Sequence, residues 1–126
     1  MNDQFLEFIK IAMSSQYDHQ TNIMDLSRFR HCKHLKNQGL YIMLNRPNVL
    51  ANIIRLINEN APNTIAINLS DNKIQILEPL KNLSALKQLK ALNLSKNNVI
   101  IDFFQVIRSP NMFDLIFFFI IIDKQF

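Results

Sequence analysis

"INLSDNKI", Ile67 to Ile74, returns 25 residues later as "LNLSKNNV", Leu92 to Val99. Ile67, Leu69, Asn72 and Ile74 align with Leu92, Leu94, Asn97 and Val99 without a gap. Apolar residues two apart put both side chains on one face of a short strand. The Asn that follows sits where the chain turns out of the strand. There its amide can satisfy backbone groups that the turn leaves unpaired. One such unit cannot bury its apolar face alone, so the pattern implies stacked units.

A further step of 25 residues back reaches "YIMLNRPNV", where Ile42, Leu44 and Val49 keep the apolar positions and Pro47 takes the Asn slot. This predicts an earlier strand there. Between the strands, "NVLANIIRLINEN" spaces Val49, Ile53, Ile54 and Ile57 as one helical face, with Arg55 and Glu59 opposite. The residue before Pro62 ends that helix. "EPLKNLSALKQLK" repeats the arrangement with Leu80, Leu83 and Leu86. "DLSRFRHCKHLKNQG" reads as a short helix capped by Asp25 and closing near Gly39. Asp3 to Ser14 is amphipathic through Phe5, Phe8, Ile9 and Ala12 and suits an end cap. The expected fold is therefore α/β: a short leucine-rich repeat solenoid of parallel strands with covering helices, preceded by an N-terminal helix. Its repeat lies inside the range of roughly 20–29 residues usual for that architecture. Residues 1–99 form this domain, and residues 100–126 form a divergent hydrophobic tail.

Composition narrows the function. With a single Gly, Gly39, there is no glycine-rich loop to cradle a nucleotide phosphate. A lone cysteine, Cys32, forms no internal disulfide and favours an intracellular setting. Asp3 and Glu7 stand where a signal peptide would be basic. The apolar run Leu115 to Ile122 is far shorter than the ~20 residues of a membrane-spanning helix, so no membrane span is expected. The net charge of +4 is concentrated between His19 and Asn98, where eleven Lys or Arg face four Asp or Glu.

Arg28, Arg30, Lys33, Lys36 and Arg46 are the candidate phosphate contacts, by charge and counterion release. On the outward face of the expected strands, Tyr41, Met43, Asn45, Asn68 and Asn93 are the candidate partner contacts. His31, Cys32 and His34 match no zinc spacing and find no second ligand pair, so no metal or other cofactor is expected. Adjacent His31 and Cys32 do not face each other on a helix, and no enzyme is expected.

The wording of the chain also resembles the nuclear RNA export factor family, the TAP-type messenger-RNA exporters. The resemblance rests on Tyr17-Asp18 with Met24-Asp25-Leu26, on Leu44-Asn45-Arg46, on Ile57, Glu59, Asn60 and Pro62, and on the two Leu-Ser-x-Asn strings. It runs from about Asp3 to Val99. It implies the leucine-rich domain of such a factor, with RNA or export adaptors as partners and the nucleus, with shuttling, as location. By the same resemblance, the domains that bind nucleoporins and a heterodimer partner are absent from this chain. An alternative expectation is a protein–protein scaffold without RNA binding. After Asn98 the wording departs from the family. Phe117 and Phe119 keep the 25-residue register, but Ile116, Phe118 and Ile120 would then face outward on an edge strand.

Overall fold

The computed structural model describes residues 3–99. They form a mixed α/β unit with a four-stranded sheet, consistent with a leucine-rich repeat domain. The strands are β1 (Tyr17–Asp18), β2 (Ile23–Asp25), β3 (Ala66–Asn68) and β4 (Ala91–Asn93), in that spatial order. β1 runs antiparallel to β2, and the other neighbours are parallel. Met24, Ile67 and Leu92 lie side by side in the register and are all buried. The expectations for the tail fall outside the described residues.

The strand beside β3 is not the expected one. Residues 41–44 form no strand; Ile42 and Leu44 are buried as loop side chains directly before a helix. The first unit begins instead at Met24-Asp-Leu-Ser-Arg-Phe29, and the same two letters, Leu-Ser, recur at Leu69-Ser70 and Leu94-Ser95. Its step to the next strand is 43 residues, from Met24 to Ile67, because it accommodates a 3₁₀ turn and two α-helices before β3. Asp25 is accordingly a strand residue and not a helix cap. Its carboxylate does the work of Asn68 and Asn93. Asp25 Oδ1 accepts from Ser27 N at 3.0 Å, Asn68 Oδ1 from Ser70 N at 3.0 Å, and Asn93 Oδ1 from Ser95 N at 2.8 Å. Each is the short polar bridge that lets a chain leave a strand in a tight turn.

Two asparagines, buried Asn72 and half-buried Asn97, tie these turns together. Asn72 Oδ1 accepts from Phe29 N at 3.0 Å, while its Nδ2 donates to the carbonyls of Leu26, Leu69 and Ser70 at 2.9, 3.0 and 3.1 Å. One unit on, Asn97 Oδ1 accepts from the backbone N–H groups of Asn72 and Ile74, both at 2.9 Å, and Nδ2 reaches the carbonyls of Leu69, Leu94 and Ser95. In the first unit the slot holds Phe29, which is fully buried. The residue just before the slot is left-handed every time: Arg28 at φ 47, Asp71 at φ 55 and Lys96 at φ 59.

The helices cover the sheet. α1 (Asp3–Ser15) buries Ile9, Ala12 and Met13 and packs on α2 (Lys33–Asn37). The expected single helix from Asp25 is broken into a 3₁₀ turn, Phe29–His31, and α2, with extended Cys32 (φ −58, ψ 129) between them. α2 closes as foreseen at Gly39. Leu40 N bonds the Leu35 carbonyl at 2.9 Å and Gly39 N the Lys36 carbonyl at 3.0 Å, a paired C-terminal cap with Gly39 at φ 66. α3 (Pro47–Asn60) starts on a proline, which suits a first helical position, and buries Leu50, Ile53, Ile54, Leu56 and Ile57. Fully burying each such side chain contributes about 1.5–3 kcal/mol.

α3 packs on a 3₁₀ helix, Glu78–Ala85, where an ordinary helix was expected. The leucines explain the difference. Leu77, Leu80, Leu83, Leu86 and Leu89 recur every third residue, and a 3₁₀ helix stacks residues i and i+3 on one side.

A prediction follows at the α2 cap. No atom lies within 4 Å of where a Cβ on Gly39 would sit, so only the left-handed backbone opposes a side chain there. Gly39→Ala is expected to lower stability by about 1 kcal/mol and Gly39→Asn by less, read from urea midpoints.

Candidate nucleic-acid interface

The end of β2 and the segment after it build a basic depression. The Asp25 bridge turns the chain, Arg28 N bonds the Ser70 carbonyl at 3.0 Å, and the 3₁₀ turn and α2 follow. Arg28, His31, Lys33 and Lys36 thereby meet around an open hollow of about 370 Å³, with Ser27 and Gln16 on its margin. Lys33 and Lys36 stand three residues apart in α2, hence on one side of it. Among the described residues neither lysine forms an ion pair. Cys32 forms part of the wall and is buried.

Arg30 points elsewhere. Its guanidinium donates to the Asp71 carbonyl and sits 3.3 Å from Asp71 Oδ1, and its side chain is only 13% exposed. It is a brace between the first two units. Arg46 is exposed at the start of α3, where its carbonyl accepts from Leu50 N, and it does not line the hollow. Of five candidate phosphate contacts, Arg28, Lys33 and Lys36 are brought together.

The crowding of charge is legible in His31. Desolvation of its ring, then the positive charges of Lys36, Arg28 and Arg30, hold its pKa below the usual imidazole value, with Asp71 opposing. A folded pKa below the unfolded one means that this group's contribution to stability is lost as pH falls below the ordinary imidazole range.

The candidate partner contacts also divide. Asn68 and Asn93 are half-buried and share the outward sheet face with Asp25, in register. Tyr41, Met43 and Asn45 belong to the loop before α3. Tyr41 is 72% exposed, but none of the three stands on a strand. The sequence reading missed Asp71 as a member of the site. Its signal was present: the third letter of each Leu-Ser-x string reads Arg28, Asp71, Lys96, one acid between two bases.

The profile of the NXF1/2/3/5 leucine-rich repeat domain matches residues 14–103. The chain belongs to this nuclear RNA export factor family. It is 32% identical over 95 residues to "Nuclear RNA export factor 2" of Homo sapiens, across 75% of this chain. It is 36% identical over 100 residues to "Nuclear RNA export factor 1" of Drosophila melanogaster, across 79% of this chain. "Nuclear RNA export factor 1" of Caenorhabditis elegans is 26% identical over 95 residues. In each case the match spans 15% of the relative's length. The family match takes in the whole of β1 to β4, the hollow and both ladder asparagines, Asn72 and Asn97.

Proposed function

We propose that this chain is a recognition module of nuclear RNA export: a short leucine-rich solenoid that binds RNA, alone or presented by an export adaptor, through the hollow lined by the 3₁₀ turn and α2. The observation that carries this reading is the convergence of Arg28, Lys33 and Lys36, beside His31, on one open surface. Phosphate oxygens are the ligand groups that such a cluster of point charges and one guanidinium fork suits best. The domain acts by binding, without catalysis, and works in the nucleus with shuttling to the cytoplasm. Filter binding of a labelled single-stranded RNA against salt tests the reading. Three phosphate contacts give a log–log slope near −2, at about 0.7 per phosphate. A flat profile rejects it.

A second reading, a protein–protein scaffold, draws on Asn68 and Asn93, which bridge through Oδ1 and leave their Nδ2 donors on the outward sheet face. Partner retention after nuclease treatment favours that reading over RNA.

The titration of His31 adds a pH prediction. A bound phosphate replaces some of the surrounding repulsion with attraction, so the His31 pKa rises on binding and a proton is taken up. Affinity for RNA is therefore expected to strengthen as pH falls from about 7.5 to about 5.5, and His31→Gln is expected to flatten that dependence. Anisotropy titrations across the range check both.

A further inference from the structure

Asp71 lies between the two arginines and treats them unequally. Arg30 is bound twice, through the Asp71 carbonyl and carboxylate, and is nearly covered. Arg28 meets the carboxylate once, Nε to Oδ2 at 3.4 Å, with its side chain 61% exposed. The backbones beneath are fixed: Arg28 N bonds the Ser70 carbonyl, Asp71 N bonds the Ser95 carbonyl, and both residues are left-handed. Only the Arg28 side chain is at liberty to change partner, and it already lines the basic hollow. A single, long, exposed ion-pair contact holds weakly, since solvent screens it.

We propose that Asp71 sets how tightly the surface engages phosphate: its carboxylate holds Arg28 in the unbound domain and yields it when an RNA phosphate arrives. This rests on the reading of the hollow as a phosphate-binding surface. Two consequences follow. While paired, Arg28 attracts little additional anion, so the pair weakens binding relative to the same surface without the acid. Arg30 keeps its place whether or not RNA is bound, because its backbone contact does not depend on the carboxylate.

Asp71→Asn is the variant to make. Asn tolerates the left-handed conformation, and the carbonyl that accepts from Arg30 remains. With a labelled oligouridylate in about 100 mM salt, Asp71→Asn is expected to bind roughly 3- to 10-fold tighter, with the salt slope still near −2 because the same three phosphates are engaged. The gain should vanish in Arg28→Ala/Asp71→Asn, and Glu59→Gln, on the exposed side of α3, should change affinity less than about 2-fold. Unchanged affinity in a folded Asp71→Asn domain, while the wild type binds with a normal salt slope, overturns the role of Asp71 alone. Absence of salt-dependent binding by the wild type overturns it together with the reading of the hollow. Should Asp71→Asn fail to fold, the arginine Nε–H resonances of the wild type decide. Movement of Arg28 but not Arg30 on adding RNA supports the proposal; movement of both, or of neither, rejects it.

Discussion

Asn72→Ala is expected to remove about 3–5 kcal/mol of stability, a large share of the roughly 5–15 kcal/mol typical of a whole domain. Asn72 is 2% exposed and serves four backbone groups from two units. Alanine strands the Phe29 N–H and removes the donor facing the Leu26, Leu69 and Ser70 carbonyls. A buried group left without a partner loses about 1–3 kcal/mol. Asn72→Asp isolates the donor half of the argument. It keeps an acceptor for Phe29 N but turns a carboxylate toward three carbonyls, so it should be at least as damaging near neutral pH and milder in acid, where the carboxyl protonates. Asn97→Ala should cost less than Asn72→Ala, because its surroundings are less buried. Urea denaturation of the three variants, with midpoints ordered below the wild type as stated, checks this. Equal midpoints for Asn72→Ala and the wild type would show that the asparagine ladder does not hold the units together.

The triple variant Arg28→Ala/Lys33→Ala/Lys36→Ala is expected to lower RNA affinity about 100-fold at physiological salt and to remove most of the salt slope. The argument is one of number: charge-assisted contacts to phosphate are each worth about 1.5–3 kcal/mol at most, less where solvent screens them, so three give roughly two orders of magnitude. The same substitution should leave the melting profile near that of the wild type, since Lys33 and Lys36 are exposed and have no ion pair among the described residues. Arg30→Ala supplies the contrast. It should destabilise the domain through loss of the brace on Asp71 while changing the salt slope little. If Arg30→Ala and the triple variant exchange these phenotypes, the division of the basic residues made by the geometry is wrong.

How far the sequence could be read depended on what each residue's partners repeated. Ile67, Leu69 and Asn72 were legible because Leu92, Leu94 and Asn97 spell the same pattern at a fixed step, and identical neighbours stack in identical register. The first unit was hidden by three departures. Asp25 replaces the bridging Asn and Phe29 the ladder Asn, while the step to β3 is 43 residues instead of 25. Extending the fixed step therefore landed on Ile42 and Leu44, whose alternation is that of two loop side chains anchored in the core. Tyr41, Met43 and Asn45 inherited that misplacement. The basic residues were legible as a cluster but not as a geometry. Arg28 and Arg30 are two positions apart, and only the position of Asp71, 41 residues on from Arg30, shows that one is braced and the other exposed.

The left-handed step at Arg28, Asp71 and Lys96 has a consequence for how such a domain can diverge. Its backbone shape is imposed by the ladder around it, and an arginine, an aspartate and a lysine all occupy it. For a non-glycine residue that shape costs about 1–2 kcal/mol, whatever the charge it carries. Each unit thus has one surface position where charge can be rewritten by a single codon while the scaffold stays the same. Along the stack these positions act as an editable label. Two domains with superimposable cores can then differ in what they attract by the order of letters in a column only three residues deep here.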